Sequence, residues 1–211
     1  GLHIDASSGY EARRAMRAGV PPAHIQITAQ EMPGDLRSLL DLGVLFTACS
    51  VHQLREYGRL RPNSDVTVRI NPGLGSGHNN RTNVGGPAAS FGIWHEHLDQ
   101  VEAIQREFGL TVSRMHTHIG SGSDPDLWNE CAQITLGIAT RLPQVTTVSF
   151  GGGFKVARVD GENSADLNAI GARIKEDVEA FAQRNGRQLR IEIEPGTYLT
   201  ANAGAVVCSV I

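Results

Sequence analysis

Short runs rich in Val, Ile and Thr alternate with longer amphipathic stretches along the whole 211-residue chain. The short runs, bounded by Gly, Pro or polar residues, predict strands at 2–6, 24–28, 44–49, 66–70, 112–119, 145–150 and 189–194. The stretches between them predict helices at 10–18, 35–42, 51–60, 95–108, 126–142 and 165–185. In the last of these, Leu167, Ile170, Ile174, Val178 and Phe181 share one face, and Gly186 follows as a stop signal. Strand–helix alternation of this kind argues for a parallel sheet, because parallel neighbours need crossover connections. Seven strands in this rhythm fit a (β/α)8 barrel lacking one unit, or an open doubly wound sheet.

Candidate chemistry collects after the strands, where a parallel barrel carries its active site. Gly151-Gly152-Gly153 follows one strand, and three residues without Cβ read either as a phosphate cradle or as a flexible turn. His116 and His118, two apart on a strand, point to one face. They suit metal ligation, an imidazole lying flat on a planar cofactor, or a satisfied core histidine. Glu192 and Glu194 alternate with Ile191 and Ile193, which places the glutamates inside a barrel and the isoleucines under the helices. A charge inside a barrel needs a partner. For Glu194 that is a ligand, or an ion pair with Arg69 or another cation. The glycine-rich stretch 71–92 is long enough to be a substrate lid or cofactor wall rather than a plain solvated loop.

Composition narrows the class. Nineteen Lys+Arg against 22 Asp+Glu, a net charge of -3, leave no basic footprint for nucleic acid. With 40% hydrophobic and 19% charged residues the chain is globular, and no apolar run is long enough to span a bilayer. Three scattered cysteines, Cys49, Cys131 and Cys208, fit unpaired buried thiols in a reducing, cytoplasmic setting. The start at Gly1 and the apolar run before Ile211 read as a fragment of a longer chain.

Taken in order, the clusters Asp5-Ala6-Ser7-Ser8-Gly9-Tyr10-Glu11, Arg69-Ile70-Asn71-Pro72-Gly73, His118-Ile119-Gly120-Ser121, Gly151-Gly152-Gly153-Phe154 and Glu194-Pro195-Gly196 resemble the pyridoxal-phosphate-dependent decarboxylases of the alanine-racemase-like fold, the group IV decarboxylases. The resemblance implies an α/β fold. It is a (β/α)8 TIM-type barrel lacking its first β/α unit, over 1–204, with 205–211 leading to an absent carboxy-terminal β domain. It also implies that His118 stacks on the cofactor ring and that Ser121, Gly151, Gly152, Gly153 and Gly196 hold the phosphate. Pro195 and Thr197 border the cofactor in the same comparison. Glu194 pairs with the pyridine nitrogen, which makes Glu194 and His118 the catalytic pair. Asp5 and Glu11 match positions near the family's cofactor-binding lysine.

The Gly75-Ser76-Gly77-His78 loop, ending in Phe91-Gly92-Ile93, favours members that act on diaminopimelate over those acting on ornithine or arginine. The implied reaction is decarboxylation of meso-2,6-diaminopimelate to L-lysine and CO2, the last step of lysine biosynthesis, with no metal. A homodimer would complete the site from its partner chain. The alternatives are a decarboxylase of a related diamino acid (carboxynorspermidine, ornithine or arginine type), a non-catalytic pyridoxal-phosphate-binding barrel, and a metal-dependent hydrolase using His116 and His118. Two departures from the family stand out. Lys155 and Lys175 are the only lysines, and neither falls in the matching motif, so the fragment alone is expected to be inactive. Thr197 stands where the family usually has an Arg that binds a substrate carboxylate, and Lys155 or Arg158 would have to supply that charge.

Overall fold

In the computed structural model, which describes residues 2–75 and 85–209, the hydrophobic pattern resolves into an all-parallel sheet wrapped by helices. Its strands are β1 (Ile4–Ala6), β2 (Ile25–Thr28), β3 (Leu45–Ala48), β4 (Asp65–Asn71), β5 (Ile93–Trp94), β6 (Thr111–His116), β7 (Thr147–Gly152) and β8 (Arg190–Glu194). The ladder runs β1-β2-β3-β4-β6-β7-β8, with the two-residue β5 paired to the end of β4. The helices are α1 (Gly9–Arg17), α2 (Leu36–Asp41), α3 (Val51–Leu60), α4 (Leu98–Phe108), α5 (Pro125–Arg141), α6 (Leu167–Asn185) and the short α7 (Gly196–Thr200). The architecture is an incomplete TIM-type barrel. Among the described residues no ladder joins β8 to β1.

Local chemistry sets the helix ends. Ser8 and Ser50 cap α1 and α3 by accepting backbone N–H groups of Glu11 and Gln53, and Asp166 caps α6 through Asn168 and Ala169. Gly109 and Gly186 end α4 and α6 in the left-handed conformation.

The apolar core lies between sheet and helices, not inside the barrel. Ile25, Ile27, Val68, Met115, Val148 and Phe150 point outward and are buried under Leu39, Leu54, Ile104, Trp128 and Phe181. The alternate positions turn inward and are polar: Gln26, Thr47, Thr67, Arg69, Arg114, His116 and Ser149, with Glu192 and Glu194 on β8. Much of this polar lining pairs within the barrel, Arg114 with Glu192 and His116 and Ser149 with Glu194.

Three expectations need correction. Ile193 does not pack under a helix, because β8 is a sheet edge, and it is 50% exposed. The strand expected at 112–119 ends at His116, so His118 stands on the turn beyond it. Cys49 and Cys131 are buried, but Cys208 is exposed. The tip of the glycine-rich loop, including the Gly77-His78 pair, lies outside the described residues. Among the described residues no helix is long and apolar enough to cross a membrane.

Candidate functional site

The triple glycine is the geometric centre of the site. Between Ser149 and Gly152 the register of β7 slips against β8: Ser149 faces Glu192, whereas Gly152 faces Glu194. Three residues on one strand thus span two on the other, a bulge of the kind that bends and twists a strand locally. Gly151 and Gly153 have positive φ, 72° and 94°. A Cβ on Gly151 would strike Nδ1 of His118, one on Gly152 the backbone oxygen of Glu194, and one on Gly153 the backbone oxygen of Gly120. All three positions therefore exclude side chains by contact. This favours a built turn over a flexible one. Two of the three N–H groups are engaged internally, Gly151 donating to Ser149 Oγ (3.1 Å) and Gly152 to His118 Nδ1 (2.9 Å). Ser121 is beside Gly153, its Cα 3.1 Å from where a Gly153 Cβ would fall.

The bulge locks His118. Because Nδ1 accepts the Gly152 N–H, the ring is held in one orientation, nearly parallel to His116 (interplanar 12°, centroids 6.2 Å apart). Burial, then the neighbouring His116 and Arg69, push its pKa down to about 3. His118 is therefore a neutral, flat, apolar-faced ring at neutral pH.

Glu194 ends β8 with both carboxylate oxygens engaged. His116 Nε2 lies 3.1 Å from Oε2, and Ser149 Oγ donates to Oε1 at 3.0 Å. Burial alone would raise the carboxyl. The His116 charge and hydrogen bond, followed by His118 and Ser149, outweigh it and hold Glu194 below the ordinary carboxylate range. Arg69 is not its partner: that guanidinium stands 5.0 Å over the Phe91 ring. Glu192, one layer deeper, pairs with Arg114. Asp5, on β1, accepts from Thr28 Oγ1 at 2.6 Å, and burial together with the Glu194 carboxylate raises its pKa.

His116, His118 and Glu194 bring donor atoms within 4.8 Å of one another, as a metal would require. However, His116 Nε2 is already directed at Glu194 and His118 Nδ1 at a backbone N–H. That donor set suits a planar, phosphorylated heterocycle better. It offers a locked neutral ring, hydroxyl and N–H donors at one side, and an ionised carboxylate at the other.

The remaining expected residues are spread around this centre. Pro195, Gly196 and Thr197 lead from Glu194 into α7, with Thr197 exposed. Asn202 Nδ2 donates to the Ala157 oxygen at 3.2 Å, tying that end of the chain to the segment carrying partly buried Lys155 and exposed Arg158. Glu11 accepts from the Ser7 N–H and hydroxyl and so serves the start of α1. Lys175 faces out from α6 and pairs with Glu179 at 3.7 Å. A cavity of about 700 Å³ opens at the ends of β1, β2 and β4, lined by Tyr10, Arg13, Thr28, Arg69 and Phe91 among others. Sequence reasoning missed Ser149 and the link from His116 to Glu194. The inward alternation Arg114/His116, Thr147/Ser149 and Glu192/Glu194 carried that signal.

Comparison with known proteins gives consistent matches. Residues 1–201 match the family model "Pyridoxal-dependent decarboxylase, pyridoxal binding domain". A curated diaminopimelate decarboxylase of Streptomyces coelicolor is 34% identical over 216 residues, covering 100% of this chain and 49% of the relative. One from Escherichia coli K12 is 31% identical, covering 100% and 51%. The chain thus spans about half the length of the curated relatives it matches. A crystal structure of a diaminopimelate decarboxylase superposes with TM-score 0.86 at 30% identity, over 94% of this chain and 49% of that one. The Helicobacter pylori enzyme complexed with L-lysine shares the fold, with TM-score 0.79 at 23% identity over 92% of this chain and 50% of that one.

Proposed function

The chain belongs to the pyridoxal-dependent decarboxylases through their pyridoxal-binding domain, and on that premise we propose that it forms the cofactor pocket of an enzyme converting meso-2,6-diaminopimelate to L-lysine and CO2. The observation that carries this reading is the His118 ring, fixed by the Gly152 N–H between the Glu194 carboxylate and the Ser121–Gly153 turn. The choice of substrate leans on the curated relatives that bear the name diaminopimelate decarboxylase.

Pyridoxal 5'-phosphate, when bound, supplies an electron sink for the carbon that loses CO2. The chain's own residues prepare that sink. Glu194, held ionised, would accept the pyridine N–H and favour its protonated form, since an opposite charge stabilises a cation. The neutral His118 face would stack on the ring without repelling that cation. Ser121 and the Gly153 N–H would hold the phosphate, with the Gly151–Gly152 backbone shaping the turn and Pro195, Gly196 and Thr197 bordering it. Lys155 and Arg158, on the segment after the triple glycine, would supply charge for a substrate carboxylate where Thr197 offers none.

The same reading makes 1–204 the barrel domain and 205–211 the lead into a β domain. It also has a second copy of the chain complete the site as a homodimer. The open β8 edge, with Ile193 half exposed, supports a barrel lacking one β/α unit at that edge. The test uses the full-length protein supplied with pyridoxal phosphate and offered meso-diaminopimelate, ornithine or arginine. CO2 release from the first, with visible absorbance from bound cofactor, is expected. Bound cofactor with no CO2 from any of them would make it a non-catalytic carrier.

A further inference from the structure

We propose that His116 and Ser149 are positioning residues, which fix Glu194 in one rotamer and keep it an acceptor-only carboxylate before any cofactor arrives. This rests on the reading of Glu194 as the partner of the pyridine nitrogen. Ser149 Oγ accepts the Gly151 N–H at 3.1 Å, so its own proton is directed along the 3.0 Å contact to Glu194 Oε1. The other oxygen, Oε2, faces His116 Nε2 at 3.1 Å, and the His116 side chain is 2% exposed and cannot swing away. An ionised carboxylate has about four lone-pair sites. Two are taken by fixed strand side chains, and two remain for an N–H of a ligand.

Beyond His116 itself, the charged side chains around the carboxylate are engaged elsewhere or oppose it. Asp5 on β1 is a carboxyl, itself raised by burial and by Glu194, and supplies no favourable charge. Arg69 on β4 stacks on Phe91, and Arg114 on β6 is engaged by Glu192. His118, although close, gives its Nδ1 to the Gly152 N–H. Ser149 and His116 are adjacent in register on β7 and β6, so the two donors form a rigid pair under the carboxylate.

The test is a titration of the Glu194 carboxyl by ¹³C NMR in the full-length protein without added cofactor. Four forms are compared: wild type, His116→Gln, His116→Phe and Ser149→Ala. Expected is a wild-type midpoint below the ordinary glutamate value. The midpoint should rise at least one pH unit, a tenfold change in proton affinity, in His116→Phe, and part of it should be restored by the donor-bearing His116→Gln. Ser149→Ala removes the second donor at small steric cost and should give a smaller rise. It decides the matter if His116→Phe does not fold. A folded His116→Phe with the wild-type midpoint, or Ser149→Ala without any rise where the Phe variant is unavailable, overturns the proposal. Pyridoxal phosphate binding is followed separately by absorbance. If the midpoints shift as expected but no cofactor binds, the functional reading fails and the positioning role stands.

Discussion

Replacing Gly153 with Ala tests whether the triple glycine exists for packing. The residue has φ +94°, a conformation costing an L side chain about 1–2 kcal/mol. Its new Cβ would also collide with the Gly120 backbone oxygen and approach Ser121 Cα to 3.1 Å. Backbone gives way less easily than a side chain, and overpacking of this kind costs a further ~1–3 kcal/mol. Gly161 is the control: φ is +86°, yet nothing lies within 4 Å of its would-be Cβ. Gly161→Ala should therefore lose only the backbone part, about 1–2 kcal/mol, against roughly 2–5 for Gly153→Ala. Urea denaturation of both variants, with unchanged m-values, reads the difference directly. Cofactor affinity should also fall in Gly153→Ala and hold in Gly161→Ala. Equal losses of stability in the two variants would refute the packing argument.

Three further outcomes follow from the same geometry. Because the folded pKa of His118 is near 3 and its ordinary value 6.5, the unfolded chain binds the extra proton between those pH values. Its stabilising contribution is complete above about pH 6.5 and is lost on acidification at ~1.4 kcal/mol per pH unit. Asp5, whose pKa is raised, works in the opposite direction. The comparison is therefore wild type against His118→Gln: wild type should lose about 2 kcal/mol more between pH 6.5 and 5 in denaturant midpoints, and parallel losses would contradict a buried neutral ring. Trp128 stacks on Phe154 at 4.2 Å and 3° beneath the Gly122–Phe154 bridge, so Trp128→Ala should cost about 3–5 kcal/mol and loosen the phosphate end of the site, as thermal unfolding with and without pyridoxal phosphate will report. Glu194→Gln in the full-length enzyme should cut kcat at least a hundredfold while cofactor retention falls far less, and an unchanged kcat would remove the electron-sink role.

What the chain's pattern made legible, and what it hid, has a physical basis. The seven longer strands and six longer helices are visible because burial of one face imposes a period, as Ile25/Ile27 outward against Gln26/Thr28 inward shows. The two-residue β5 and five-residue α7 are too short to display any period and were missed. The clusters around His118, Gly151 and Glu194 were found because they follow strands in a parallel fold, and the structure brings them together. Their partners were not. The contact of His116 with Glu194 depends on a register between residues 78 positions apart, and a bulge inside the glycines sets it. The exposure of Ile193 depends on which strand is the sheet edge, and strand identity alone does not reveal that.

A crystal structure of the full-length protein with pyridoxal 5'-phosphate tests the cofactor pocket outright. The ring is expected to lie on His118, its nitrogen against Glu194, with the phosphate at Ser121 and Gly153. A cofactor seated away from the β7–β8 bulge, or turned so that the phosphate meets Glu194, would contradict it.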